Sequence, residues 1–337
     1  MNSVDRKCIL QSVARPGYHK YSCPFPGCVA AVMEYLGEPI DYEYLMAVSG
    51  AAFRRAWRQG DGGNVDFMHF SPLPEEHLFR AIGWSYRVVR HGDKQAMIEA
   101  VKDSIRVGRP AFAFGIIGPP ECGLVTGYED YGDTLVGYSF FQDWNTRGYY
   151  HESDWYTDGL IMMMVLTGRT EMPTEAQILR DTLQLALSLG REPLLQSSGH
   201  VSGIAANLAY ADALEDNSNF PLDNDEQMNL QAMLYWDQST MLDERRHAAT
   251  YLRQAADKFP AVGPALNAAA QQYEALWSYT AWVARLGYDL ALGRIAPGDT
   301  RLGNESGRRE IAAAYRQAFD CEQKALESVE QALQGLE

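Results

Sequence analysis

The stretch HKYSCPFPGCVAAVMEYLG, residues 19–37, sets Cys23 and Cys28 five positions apart, places prolines beside them and runs into an apolar helical pattern. A thiolate is the reactive form of cysteine, and at a helix N-terminus the unpaired N–H groups and the helix dipole stabilise it. The chemistry open to such a group is attack on a carbonyl carbon. That attack needs a base to take the thiol proton and a third group to orient the base. Cys23 stands in the turn before the helix and is read as accessible. Cys28, followed directly by VAAV, is read as a small buried hydrophobe on the first helical turn.

These residues must be positioned by the elements around them. In the first half, PGCVAAVMEYLG has Pro26 near a helix start and Gly37 as its stop, and DYEYLMAVSG has Asp41 as N-cap and Gly50 as terminator. PEEHLFRAIG and DKQAMIEAVKDSIRVG read as further helices, the latter with Met97, Ile98, Val101 and Ile105 along one face. After Arg109 and Pro110 come AFAFGII, GLVTGYE, DTLVGYSFF and GLIMMMVLTG, short β-prone runs separated by Gly, Pro and Asp, which predict an antiparallel meander. Helices followed by a sheet make residues 1–170 an α+β domain. The break falls at TGRTEMPTEAQ, where Thr174 and Gln177 form a capping box. Beyond it residues 172–337 predict an all-α helical bundle. Within that bundle one helical pair divides near Asp237–Thr240, and Gly287 weakens a long helix by about 1 kcal/mol relative to Ala.

The segment YSCPFPGCVAAVMEYLGEPIDYEYLMAVSG resembles the opening of papain-like cysteine peptidase relatives, in particular the bacteriocin-processing peptidase-like group and the domain named after butirosin biosynthesis protein H. In those families a cysteine opens a helix ending in Tyr-Tyr-Gly or Tyr-Leu-Gly, and a second short helix follows. Cys23 precedes Gly37 by 14 positions, close to the family spacing, whereas Cys28 precedes it by nine, so the resemblance selects Cys23. GRPAFAFGIIGPPECGLVTGYEDYGDTLVGYSFFQDW is similar to the family's strand, loop, strand, strand order, in which a histidine begins the second strand. Here that position falls on Glu121 or Cys122, and Asp143 falls where an orienting Asp or Asn would stand. No glutamine-like oxyanion donor precedes the cysteine in ARPGYHKYS. The helical half also fits the butirosin-H-like relatives, through SSGHVSGIAANLAYADAL.

Two readings follow from the resemblance. In the first, Cys23 attacks an amide or an acyl-carrier thioester, Asp143 orients or polarises, and Glu121 or a histidine from elsewhere, such as His19 or His151, moves the proton. In the second, a non-catalytic protein keeps the cleft and binds a small molecule or peptide against Tyr18, Tyr21, Phe25, Glu121, Cys122, Tyr138 and Trp144, with the bundle serving for homodimerisation.

Composition narrows the classes. A chain of 337 residues, 46% of them hydrophobic, can bury sizeable cores. Five cysteines, few and odd in number, predict reduced thiols. The opening residues lack the basic and apolar regions of a signal peptide and no run suits a membrane span, so a soluble cytoplasmic protein is expected. A net charge of −15 argues against nucleic acid. Arg54, Arg55 and Arg58 read as the solvated face of a short helix. GDGGN at 60–64 reads as a flexible loop, and Glu244 with His247 as a salt-bridged helix surface. The cysteine spacing is poor for zinc, so neither a metal nor a cofactor is expected.

Overall fold

Residues 6–60, 74–142, 148–191 and 199–336 are described in the computed structural model of the chain. Nine strands run among them: β1 (Cys8–Ile9), β2 (Ala56–Trp57), β3 (Trp84–Arg90), β4 (Ala111–Phe114), β5 (Cys122–Glu129), β6 (Thr134–Tyr138), β7 (Tyr150–Glu152), β8 (Met162–Arg169) and β9 (Val201–Ser202). The chain divides into two units, Met1–Leu45 with Leu78–Pro173, and Met46–His77 with Thr174–Glu337. The first is α+β with an antiparallel sheet, and the second is predominantly helical.

In the first unit the sheet order is β3-β8-β4-β5-β6-β7, with β1 added against β5. Strands β4 to β6 follow one another as expected, but the next strand in the meander is β7, from a segment where no strand was expected, and not the GLIMMMVLTG run. β8 then returns to lie between β3 and β4, and the β3 sequence WSYRVVR supplies a strand that the helix-first reading passed over. β4 and all of β5 but Glu129 are buried on both faces, and the period-two pleat sorts their side chains. Ala111, Ala113 and Val125 pack with Met97, Val101 and Ile105 of the Lys94–Arg106 helix and with Trp155. That helix starts at Asp93, whose carboxylate accepts the Ala96 N–H at 2.9 Å. Phe112 and Phe114 meet Phe25 of the Pro24–Tyr35 helix at ring distances of 6.4 and 6.1 Å, with Phe79 5.9 Å from Phe112. Burying a side chain such as Phe25 is worth about 1.5–3 kcal/mol.

The second unit holds the helices Glu175–Arg191, Ala205–Glu215, Asp225–Asp243, Arg245–Lys258, Gly263–Ala291 and Glu305–Gln334. The capping box forms as expected: Gln177 N–H donates to Thr174 Oγ1 at 3.3 Å and Thr174 N–H to Gln177 Oε1 at 2.9 Å. The expected division near Asp237–Thr240 instead falls at Glu244. Ser239 and Thr240 turn their hydroxyls back to the Trp236 carbonyl at 2.7 and 3.0 Å and stay helical. Trp57, Tyr210, Tyr235, Leu276, Val283, Ile311 and Tyr315 share one core.

The basic run AFRRAWR is not a solvated helix face. Ala51–Phe53 form a turn, β2 pairs with β9, and Arg54 and Arg55 are buried. Arg54 pairs with Glu244 at 3.1 Å, while Arg245 pairs with Glu322 at 2.6 Å and donates to the carbonyls of Ala52 and Arg54 at 2.9 and 3.0 Å. Glu244 and His247 are accordingly buried as well, where a salt-bridged surface was expected. A guanidinium leaves water only where oxygens replace its hydration, and the tertiary structure supplies them. The GDGGN loop lies, beyond Gly60, outside the described residues. No helix among the described residues is long and apolar enough to cross a membrane.

Gly287 has a packing reason. A Cβ there would stand 2.1 Å from Ser239 Oγ and 3.2 Å from the Trp236 Cα, so the glycine lets two helices approach closely. Helix propensity alone says that Gly287→Ala stabilises by about 1 kcal/mol, whereas the overlap says that it destabilises by about 1–3 kcal/mol. Urea denaturation is expected to show a lowered midpoint, partly restored by adding Ser239→Ala. A raised midpoint in the single variant would refute the close approach.

Candidate functional site

Cys23 is the N-cap of the Pro24–Tyr35 helix, with extended backbone (φ −116°, ψ 123°) and no capping hydrogen bond from its side chain. Pro24 and Pro26 occupy the first and third helical positions, so two of the first three residues bring no N–H to the helix end. The dipole remains, but the donors that would hold a thiolate are thinned. The Cys23 N–H itself donates to Tyr42 Oη at 2.9 Å, and Ser22 Oγ lies 3.3 Å from the same oxygen. Tyr21 stacks at a tilt on Tyr42, with ring centroids 4.8 Å apart. Gly27 belongs to this packing: a Cβ there would lie 2.8 Å from Tyr21 Cβ and 3.0 Å from the Phe140 ring.

Cys28, on the same helix, reaches across to β5, where its Sγ donates to the Cys122 carbonyl at 3.5 Å. Cys122 opens β5 opposite Phe114, and its own thiol donates to the Gly123 carbonyl at 3.7 Å. The three cysteines are 1%, 0% and 2% exposed for Cys23, Cys28 and Cys122, so the turn does not expose Cys23. Burial pushes the Cys122 thiol well above its ordinary range, and the Cys28 thiol, the Glu121 charge and the Cys23 thiol push it further in the same direction. These influences place Cys23, Cys28, Glu121 and Cys122 in one neighbourhood. Tyr150 joins it. Its hydroxyl donates to the Leu124 carbonyl at 3.1 Å, and burial first, then Cys28, Glu152 and Cys122, raise its pKa.

The remaining expected site residues are distributed around this group. Phe25 is core, among Phe79, Phe112 and Phe114. Tyr18 meets Phe140 and Phe141 edge-on at 5.0 and 5.8 Å, and Tyr138 packs on Tyr149 at 4.7 Å. Asp143 and Trp144 lie outside the described residues. His151 sits on β7 with Nδ1 3.0 Å from Glu129 Oε2, and Lys7 first, then His151, hold that carboxyl below its usual range. His19 is an exposed residue of the turn before Cys23. Among the described residues no group of three or more His, Cys, Asp or Glu side chains is placed to hold a metal ion.

A neutral, buried thiol can donate a weak hydrogen bond and fill space, but it takes no proton from a neighbour at neutral pH. Tyr42, which holds the Cys23 backbone, and Tyr150, which is buried near the thiols, carry no sequence signal that separates them from the other tyrosines. No protein-family model and no curated protein sequence matches the chain.

The thiol environment has a consequence in alkali. The folded pKa of Cys122 lies above that of the unfolded chain, so the unfolded state loses the proton first. The stability this contributes is complete below the ordinary thiol range and is lost as pH rises past 9.0, the ordinary value. Urea midpoints followed from about pH 7 to about pH 9.5, before most tyrosines of the unfolded chain ionise, are expected to fall more steeply for the wild-type protein than for Cys122→Ala. Parallel profiles would contradict the buried neutral thiol.

Proposed function

We propose that the first unit is a papain-like, cysteine peptidase-like domain of the butirosin-biosynthesis-protein-H type that binds a small molecule or peptide without cleaving it. The observation that carries this reading is the Cys122 thiol. It opens the strand where the family resemblance calls for an imidazole, and burial keeps it protonated. A papain-like cycle requires one group to accept the thiol proton and return it to the leaving group. A thiol held above its ordinary range does neither. The scaffold part of the reading is supported by the order of elements: a helix capped by a cysteine, then antiparallel β4, β5 and β6 with Cys122 at the start of β5.

A second reading has its own support. Cys23 stands at the positive end of a helix dipole, and Glu121 is a carboxylate in the same neighbourhood. The dipole favours, and the carboxylate could serve as base for, thiol-dependent acyl chemistry in which Cys23 attacks, Glu121 moves the proton and Asp143 orients. A thioester releases a thiolate that leaves without protonation, so an absent imidazole harms acyl transfer from a carrier less than it harms amide hydrolysis.

The rate of iodoacetamide labelling at Cys23 against pH separates the two, read by mass spectrometry of the peptide carrying residues 21–54. The binding reading expects slow labelling with a midpoint at or above about 8.5, the ordinary thiol value. A fast reaction with a midpoint well below it would establish a nucleophile and replace the binding reading with acyl transfer.

A further inference from the structure

The second unit contains a buried cation with no ion pair among the described residues; the carboxylate charge felt by its neighbours, that of Asp237, is engaged by the Gln238 amide at 3.3 Å. Arg54 and Arg245 each have a carboxylate, from Glu244 and Glu322. Arg55 is 0% exposed, and among the described residues it makes no ion pair. Its Nε donates to Asn207 Oδ1 at 2.9 Å, its Nη1 to the Gln238 carbonyl at 2.8 Å, and its Cζ lies 5.2 Å from the Tyr315 ring centroid. Nη2 has no hydrogen-bond partner. A buried guanidinium in that condition is costly and selects for an anion.

Two more buried polar atoms beside it are in the same state: Tyr315 Oη and Gln238 Oε1. The Arg55 charge partly offsets the rise that burial imposes on the Tyr315 phenol, yet no bond of hydrogen-bonding geometry joins them. The orientation of the Gln238 amide is set by its nitrogen, which donates to the Ala56 carbonyl at 3.1 Å and to Asp237 Oδ2 at 3.3 Å. The unpaired atom is therefore the acceptor. Aromatic rings pack beside the group, with Tyr210 4.7 Å from Tyr315 and 4.5 Å from Trp57.

An occupant that answers all three atoms must accept from a cation, pair with a hydroxyl and donate to an amide oxygen. We propose that Arg55, Tyr315 and Gln238 form a buried site in the second unit for a small carboxylic acid bearing a hydroxyl or amino group next to the carboxylate. The carboxylate accepts from Arg55 Nη2 and the Tyr315 hydroxyl and pairs directly with the guanidinium. The adjacent O–H or N–H donates to Gln238 Oε1. A plain carboxylate leaves that acceptor unanswered, and a neutral polyol leaves the charge unanswered. This site is independent of the thiol group in the first unit.

Thermal unfolding of the full chain in millimolar glycolate, glycine, acetate and ethylene glycol, each against sodium chloride at matched ionic strength, tests the assignment. Glycolate or glycine is expected to raise Tm in proportion to the logarithm of concentration, with acetate and ethylene glycol weaker by about tenfold or more in apparent affinity. Tyr315→Phe removes an oxygen that makes no hydrogen bond within the chain. It should keep the circular dichroism of the wild type and weaken glycolate or glycine binding by about fivefold or more. Equal shifts from all four additives, or none, would mean that the three atoms are answered by water alone and would overturn the proposal. So would an unchanged ligand affinity in a folded Tyr315→Phe protein. The wild-type series decides the matter even if the variant does not fold.

Discussion

A guanidinium taken out of water must find oxygens to replace its hydration, and the second unit is organised by that demand. Arg245 lies between a carboxylate, Glu322, and the carbonyls of Ala52 and Arg54. Its single side chain thereby ties the segment after Met46 to the long C-terminal helix. Asn207 extends the same network, accepting from Arg55 and donating to Glu322 at 3.3 Å. Breaking a buried pair of this kind costs about 3–5 kcal/mol, because the remaining charge stays buried. The short β2–β9 pairing, the stacking of Trp57 on Tyr210 and the burial of Gln238 all sit beside that network.

The first unit obeys the same rule with weaker polar groups. Its central strands are covered on both faces, so polar atoms that fall on β5 are desolvated. A thiol meets that condition by donating to a backbone carbonyl, as Cys28 and Cys122 both do, and burial favours the neutral form of Cys122. An imidazole in the same place would need two partners and would lose its charged form to desolvation. Cysteine at position 122 therefore suits an interior and gives up proton transfer. The prolines that open the neighbouring helix act in the same direction, since they remove N–H groups that would otherwise favour a thiolate at Cys23.

Much of the fold was legible because its signals are local. The alternation in AFAF and GLVTGYE, the Thr174–Gln177 capping box and the apolar face of DKQAMIEAVKDSIR each report a backbone conformation from a few neighbouring residues. β3 has a weak local signal because WSYRVVR sits between two strong helical patterns, and its partner β8 lies far along the chain. The burial of the arginines runs against their local signal, because a run of cations usually marks a solvated face. Nothing near Arg54 or Arg245 in sequence announces Glu244 or Glu322 as buried partners. Of the thiol group, the spacing of Cys23 and the position of Cys122 could be read from the chain. The bond between Cys28 and the Cys122 backbone, and the hydroxyls of Tyr42 and Tyr150, could not.

By itself the sequence determined the helix ends, the strand-forming runs, the reduced state expected of five scattered cysteines and the acidic balance, since each depends on residue type and short-range spacing. The tertiary structure alone decided which polar groups lose contact with water. Desolvation depends on what packs from distant parts of the chain, so Cys122 becomes a protonated wall and Arg55 a buried cation only once β5 and the helices of the second unit are assembled. That physical difference separates a readable cysteine motif from the chemistry it is able to perform.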